Sequence, residues 1–200
     1  FLEEVLGCRW YTSECSYIPE MSSIVIQELD IRQKPAFVQR DLYWRIARDA
    51  DWSARNRVTS ASSELDPQRG GKITFNGVHT FDFLVPPEEH FDDHPEYYSI
   101  LANRKRTWQS GNLCLTNPEV MKLTARETIK WIENSPGAYA YFVAQNDGSR
   151  ECQGPHCQKV HDHEGSPSAT YVYFANQVAE RVEKIHPGIY IGTLAYRFTE

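Results

Sequence analysis

The stretch from Tyr139 to Gly148 constrains the fold most, because it changes from apolar to polar at a single point. Residues 139–144 read Tyr-Ala-Tyr-Phe-Val-Ala, and Gln145, Asn146 and Asp147 follow directly. A strand buried on both faces reads as a continuous apolar run. In a parallel sheet, the side chains after such a strand lie at its carboxyl end, where α/β folds carry their sites. We therefore expect chemistry at Gln145, Asn146 and Asp147.

Other short apolar segments alternate with helical patterns along the chain. Further strands are predicted at 36–40, 73–86, 112–115 and 189–196, and helices at 49–58, 117–134 and 168–186. Such alternation indicates a parallel α/β structure. No glycine-rich phosphate loop follows the first strand, which disfavours a nucleotide-binding doubly wound sheet. The predicted fold class is α/β, a partial (β/α)8 TIM barrel of about five strand–helix units.

The two ends of the chain suggest a piece of a longer protein. It opens at Phe1 without an initiator methionine and closes at Glu200 directly after a strand-like run. Residues 1–34, with a strand pattern from 22 to 32, are interpreted as the tail of a small α+β domain. Residues 35–200 are interpreted as the first part of the barrel domain. The C-terminal part of the barrel, and a second catalytic carboxylate, are expected beyond these residues.

Composition disfavours several classes of partner and cofactor. A net charge of −6 without a dense Lys/Arg cluster argues against nucleic acid. No apolar run reaches membrane-spanning length, and no secretory signal pattern is present. Five cysteines are an odd number, so at least one is unpaired within the chain if the others form disulfides. No cofactor is predicted.

Short motifs along nearly the whole chain, in the same order, resemble a known family. They are Phe1-Leu-Glu-Glu-Val-Leu-Gly-Cys-Arg-Trp-Tyr, His79-Thr-Phe, His94-Pro-Glu-Tyr-Tyr, Leu113-Cys-Leu-Thr-Asn-Pro-Glu, Gln145-Asn-Asp, Glu164-Gly-Ser-Pro-Ser and Thr193-Leu-Ala-Tyr. Together they resemble the bacterial domain of unknown function 4838, which is grouped with glycoside hydrolase family 163. The resemblance implies a secreted, periplasmic or cell-surface TIM-barrel glycosidase, preceded by a small domain like that of α-glucuronidases and β-hexosaminidases. It also implies a glycan substrate, cleaved at a β-N-acetylglucosaminide linkage of N-glycans.

Asn146 and Asp147 are the catalytic candidates under this resemblance. Glycoside hydrolysis usually needs two carboxyl groups, although the N-acetyl oxygen of a substrate can serve as the nucleophile. Asn146 is expected to orient that N-acetyl group. Asp147 is expected either to donate a proton or to polarise the N-acetyl group. The alternative is that Asp147-Gly148 is only a turn after a strand, with Asn146 as its cap.

Four further side chains at or near predicted strand ends are candidates for binding the sugar: Arg40, His79, Gln145 and Tyr196. Arg40 could instead form an ion pair with Asp41 or Asp51, and His79 and Tyr196 could belong to the core. Two rival functions stay open. One is an α-glucuronidase-like hydrolase of plant polysaccharide, and the other is a non-catalytic carbohydrate-binding barrel.

One group of residues resembles a metal site in composition: Cys152, His156, Cys157, His161 and His163. Its spacing matches no common zinc finger. A disulfide between Cys152 and Cys157, or a polar loop running to Pro167, is favoured instead, and no metal is predicted. The family that the chain resembles has a denser cysteine cluster after the fourth strand, whereas this chain has only Cys152 and Cys157 there.

Overall fold

Two units, Phe1–Thr74 and Phe75–Glu200, divide the chain in the computed structural model, which describes residues 1–148 and 150–199. In the first unit, strand β1 (Arg9–Trp10) pairs antiparallel with β2 (Ser16–Tyr17). Helix α1 (Ala50–Arg55) begins where Asp49 Oδ1 accepts a hydrogen bond from the Trp52 amide at 2.6 Å. A small core joins Ala47, Trp52 and Val58. The helix predicted at 49–58 is thereby confirmed.

Two strands predicted in the first unit are not formed. The described residues have no strand at 22–32 or at 36–40. Both segments carry suitable apolar residues, yet Val25 is 86% exposed and Phe37 is 75% exposed. A strand needs a row of backbone hydrogen bonds to a neighbour. Among the described residues, segment 22–32 makes no backbone–backbone hydrogen bond, and in segment 36–40 only the Arg40 carbonyl accepts one, from the Thr59 amide at 3.0 Å.

A three-stranded parallel sheet organises the second unit. Its order is β3 (Phe75–Asn76), β4 (Ala140–Phe142) and β5 (Tyr190–Gly192), with β4 in the centre. Ala140 is the register partner of Phe75 on one side and of Tyr190 on the other. These three strands were predicted from the sequence. The strand predicted at 112–115 was wrong, because Leu113 forms only an isolated antiparallel bridge with Tyr98.

Strand β3 is much shorter than the predicted 73–86, because Gly77 breaks it. Gly77 has φ +83°, a left-handed conformation that favours glycine. A Cβ there would lie 2.5 Å from Thr80 Cγ2 and 2.9 Å from Trp131 Cη2, so the site also excludes a side chain. The chain then turns into two short helices, α2 (Phe81–Leu84) and α3 (Pro87–His90).

Two long helices cover the sheet, as the sequence predicted. Helix α4 (Pro118–Asn134) begins at Asn117, whose Oδ1 accepts from the Glu119 amide at 2.9 Å. It buries Val120, Thr124, Ala125, Thr128 and Ile132 along one face, and it packs against a further helix (Ser168–Glu183) that follows Pro167. Both helices share one apolar core with Tyr141 of β4 and with Val143, which directly follows β4.

A third helix lies where a polar loop was predicted. Helix α5 (Pro155–Glu164) precedes the Ser168–Glu183 helix, which is therefore α6. Pro155 occupies its first turn, and Gly165 ends it at φ +75°. Only Cys157 and His161, four residues apart, are buried along it. Within the described residues, no helix is both long and apolar enough to cross a membrane.

Candidate active site

Polar side chains from the ends of all three parallel strands meet at one edge of the sheet. His79 follows β3, Gln145 to Asp147 follow β4, and Tyr196 follows β5. His79 Nδ1 lies 2.7 Å from the Gln145 carbonyl oxygen, and the Tyr196 hydroxyl lies 2.9 Å from Asp147 Oδ1. The carboxyl edge predicted from the apolar-to-polar change at residue 145 therefore carries a connected set of polar groups.

Thr80 fixes the end of β4 to the segment that carries His79. Its hydroxyl donates to the Phe142 carbonyl at 2.8 Å and accepts from the Ala144 amide at 3.0 Å. The Thr80 amide also donates to the Ala144 carbonyl at 3.1 Å. Because Thr80 is buried, water cannot replace these partners.

Asn146 and Asp82 hold each other by two hydrogen bonds. The Asn146 amide nitrogen Nδ2 donates to Asp82 Oδ1 at 2.8 Å, and the Asp82 backbone N–H donates to Asn146 Oδ1 at 3.1 Å. The second Nδ2 hydrogen of Asn146 reaches the Gly111 carbonyl at 3.2 Å, and its own backbone N–H donates to Asn112 Oδ1 at 2.8 Å. Both side-chain hydrogens of Asn146 are therefore used inside the protein.

Asp82 is a site residue that the sequence analysis missed. Burial raises the pKa of its half-buried carboxyl above the ordinary value, and Glu88 adds to that rise, while the hydrogen bond from Asn146 opposes it. The segment Phe81-Asp82-Phe83-Leu84 lies within the strand predicted at 73–86, in which Asp82 is assigned no role. Its position three residues after His79, as the acidic group in an apolar run, was the available clue.

Gln145 is fully buried, which differs from the position expected of a sugar-binding side chain. Its Nε2 donates to the Tyr196 carbonyl at 2.6 Å, and its Oε1 faces the Thr199 hydroxyl at 3.3 Å. The Tyr196 amide donates to the same Thr199 hydroxyl at 2.8 Å. The side chain of Gln145 therefore fixes the segment after β5, and its backbone carbonyl accepts the hydrogen bond from His79 Nδ1.

Asp147 and Tyr196 form the solvent-facing part of the site. The Asp147 side chain is 63% exposed, and its Oδ1 accepts from the Tyr196 hydroxyl. Arg197 Nη2 lies 3.8 Å from the same oxygen, and the guanidinium carbon lies 5.0 Å from the centre of the Tyr196 ring. Arg197 has φ +61°, an uncommon conformation for a residue with a side chain. The chain turns directly after Asn146, since the Gly148 amide donates to the Asn146 carbonyl at 2.7 Å.

His79 stands exposed beside Tyr196, with ring centroids 5.4 Å apart. Because its Nδ1 contacts a carbonyl oxygen, which only accepts, Nδ1 carries a hydrogen and donates it. In the neutral ring, the lone pair is then on Nε2. Nε2 is able to accept a hydrogen bond from a hydroxyl group outside the protein.

Arg40 belongs to the first unit, and its contacts there involve backbone rather than carboxylates. Its Nε donates to the Arg57 carbonyl at 2.6 Å, and its Nη1 donates to the Phe37 carbonyl at 2.6 Å. The ion pair with Asp41 or Asp51 that the sequence allowed is not formed; Asp51 pairs with Arg69 at 3.0 Å. These hydrogen bonds give Arg40 a local structural role.

The residues that resembled a metal site in sequence divide into two groups. Cys152 and Cys157 are free thiols, both buried, and Cys114 lies with them in one cluster. The favoured disulfide is therefore not formed. His161 is buried, but Gln158 Nε2 donates to its Nδ1 at 3.2 Å, and its Nε2 donates to Thr170 Oγ1 at 3.1 Å. His156 and His163 are exposed.

The fold and the site together define a protein with a parallel sheet whose carboxyl edge carries a carboxylate, a phenol and an imidazole. Comparison with family models confirms the resemblance: the chain belongs to the family described as domain of unknown function (DUF4838), whose model matches residues 10–200. Neither a comparison with curated proteins nor one with solved structures gives a match.

Proposed function

We propose that this protein is a glycoside hydrolase that cleaves a β-N-acetylglucosaminide linkage in N-glycans. The observation that carries the proposal is the exposed Asp147 carboxylate, held by the Tyr196 hydroxyl at 2.9 Å on the carboxyl edge of a parallel sheet. TIM-barrel enzymes carry their catalytic groups at this edge. Sugar ligands present hydroxyl and amide groups, which carboxylate, phenol and imidazole side chains bind by hydrogen bonds.

The proposal includes the architecture around the site. The parallel order β3-β4-β5, with helices between successive strands, supports the first part of a (β/α)8 barrel. On this proposal residues 35–200 contribute to the barrel, and residues 1–34 end a smaller preceding domain. The rest of the barrel would come from residues outside this sequence.

The chemistry follows a substrate-assisted course, in which the N-acetyl oxygen of the substrate attacks its own anomeric carbon. Asp147 accepts a hydrogen bond from the acetamide N–H and stabilises the positive charge that develops there. Asp82, whose raised pKa favours the protonated carboxyl, gives its proton to the leaving glycosidic oxygen. Water then opens the cyclic intermediate, and a proton of that water returns to Asp82.

The remaining side chains position these groups. Asn146, whose amide hydrogens both have acceptors in the protein, holds Asp82 and does not contact the substrate. Tyr196 orients Asp147, and His79 Nε2 accepts a hydrogen bond from a sugar hydroxyl. Gln145 keeps the Tyr196 segment in place from beneath.

The test compares Asp147→Asn with Asp162→Asn, a matched change at an exposed carboxylate on α5. The full-length protein is incubated with an N-glycan and with a chromogenic β-N-acetylglucosaminide, and the released sugar is measured. Loss of a group acting on the reacting centre lowers kcat/KM by roughly 10²–10⁴-fold, and we expect this for Asp147→Asn alone. Undiminished hydrolysis by Asp147→Asn would contradict the assignment.

The same assay separates the rival functions. A glucuronide substrate is included, and release of uronic acid without release of N-acetylglucosamine would favour the α-glucuronidase-like activity. Glycan binding by the wild-type protein, without release of any sugar, would favour a non-catalytic carbohydrate-binding barrel.

A further inference from the structure

Three buried thiols meet at a place that the proposed active site does not use. The Sγ atoms of Cys114, Cys152 and Cys157 all lie within 4.8 Å of one another. They form a cluster of their own, apart from the main apolar core. The other two cysteines, Cys8 and Cys15, belong to the first unit. Cys114 meets Cys152 and Cys157 from a distant part of the chain, and this convergence of three thiols requires an explanation.

Each thiol of this cluster reaches it from a different local structure. Cys114 lies between the Leu113 bridge and α4, where its amide donates to the Tyr97 carbonyl at 2.8 Å. Cys152 precedes α5, and Cys157 lies in the first turn of that helix. A backbone hydrogen bond therefore positions Cys114, and the start of α5 positions Cys157.

The number of thiols and their spacing favour metal coordination over a disulfide. A disulfide joins two sulfur atoms at about 2.05 Å and leaves the third buried without a partner. A tetrahedral zinc ion with Zn–S bonds of about 2.3 Å holds its thiolates about 3.8 Å apart, because of the tetrahedral angle. Every Sγ–Sγ distance in the cluster is at most 4.8 Å, so a zinc ion fits between the three sulfur atoms without moving the backbone segments apart.

Metal binds the thiolate form of cysteine, and groups that stabilise negative charge on sulfur lie beside this cluster. Thr116 Oγ1 lies 3.3 Å from Cys157 Sγ and 3.9 Å from Cys114 Sγ. Cys157 also lies at the amino end of a ten-residue helix, where free backbone N–H groups stabilise negative charge.

We propose that Cys114, Cys152 and Cys157 form a zinc site with three thiolate ligands and a fourth position open to a solvent ligand. His161 does not supply the fourth ligand, because both of its ring nitrogens are hydrogen-bonded elsewhere. The ion would join the start of α5 to the segment before α4. In doing so it would fix residues 150–157, which follow Asp147 along the chain.

The experiment measures the metal content of the full-length protein, purified under reducing conditions without chelator, by inductively coupled plasma mass spectrometry. We expect about one zinc ion per chain in the wild-type protein and in Cys15→Ser, an exposed-cysteine control. Cys114→Ser, Cys152→Ser and Cys157→Ser should each lose most of that zinc. Equal zinc in wild type and all three cluster variants, or equal loss in Cys15→Ser, would overturn the proposal.

A second measurement needs no variant and so does not depend on whether the serine variants fold. The wild-type protein is stripped of metal and titrated with Co²⁺, which reports thiolate ligands by a sulfur-to-metal charge-transfer band. We expect this band to saturate at about one equivalent and to disappear on addition of Zn²⁺. Absence of the band, or a disulfide between two of the three cysteines in the protein as purified, would also overturn the proposal.

Discussion

The replacement Thr80→Val tests whether the hydrogen bonds of one hydroxyl hold the site together. Valine has nearly the shape of threonine, so the change removes the hydroxyl and leaves the packing in place. Two backbone groups lose their partner: the Ala144 amide, at 3.0 Å, and the Phe142 carbonyl, at 2.8 Å. A buried polar group without a partner costs about 1–3 kcal/mol, and the carbonyl is only partly buried. We therefore expect the free energy of unfolding to fall by about 2–4 kcal/mol.

Thr124→Val is the matched control for this change. Thr124 is also fully buried, on α4, but its hydroxyl has no hydrogen-bond partner among the described residues. Replacing that hydroxyl with a methyl group removes a desolvated polar atom and leaves no new unpaired group. We expect the stability of Thr124→Val to equal that of the wild type or to exceed it by up to about 1 kcal/mol.

Urea unfolding followed by far-ultraviolet circular dichroism measures both changes, because the long helices α4 and α6 of the second unit dominate that signal. With a slope of about 2 kcal/mol per molar urea, Thr80→Val should lower the unfolding midpoint by about 1–2 M. The midpoint of Thr124→Val should stay or rise. If both variants lose the same stability, burial of the threonine rather than its hydrogen bonds is responsible, and the reasoning is refuted.

Three further changes test separate parts of the second unit. Gly77→Ala should lower the free energy of unfolding by about 2–4 kcal/mol, because the new Cβ would lie 2.5 Å from a side-chain carbon. Gly137→Ala, whose Cβ would have nothing within 4 Å, should lower it by only about 1–2 kcal/mol because of the positive φ. Urea unfolding measures both variants. Tyr196→Phe removes only the hydroxyl that binds Asp147, and it should lower kcat/KM in the glycosidase assay about 10-fold, while an unchanged value would deny Tyr196 its positioning role. Burial raises the pKa of the Asp82 carboxyl above its ordinary value of 3.8. The protonated carboxyl therefore stabilises the folded protein fully below pH 3.8, and this stabilisation is lost as the pH rises through the raised pKa. Asp82→Asn has no carboxyl to ionise and does not show this loss of stability. The stability of Asp82→Asn relative to wild type should therefore increase with pH across that range, and a constant difference would contradict the cause given for the shift.

The elements that periodicity and caps define were predictable from the sequence. Asn117 and Pro118 mark the start of α4, and the apolar run from Tyr139 identifies β4 together with its polar end. Helix α5 was missed because only Cys157 and His161 line its buried face, which leaves too few apolar residues for a helical period. The indication of this helix in the sequence was Gly165, a residue type that commonly ends a helix.

The parts of the two sites that depend on long-range contacts were not predictable from the sequence. Asp82 becomes a site residue only because Gly77 breaks β3 and the chain turns into α2, which brings Asp82 against Asn146. Cys114 joins Cys152 and Cys157 only through the packing of segments far apart along the chain. A sequence pattern identifies which residues carry chemistry, but such a meeting of distant segments follows from the tertiary fold.

The buried Gln145 has a consequence for anyone who wishes to redesign the specificity of this protein. Its side chain is a spacer of fixed length between the loop after β4, which carries it, and the loop after β5, which accepts its amide hydrogen. Exchanging either loop alone with a homologue would leave a buried amide group without its partner. The two loops therefore form one exchangeable module, and grafts that carry residues 145–147 together with 196–199 should fold where single-loop grafts fail.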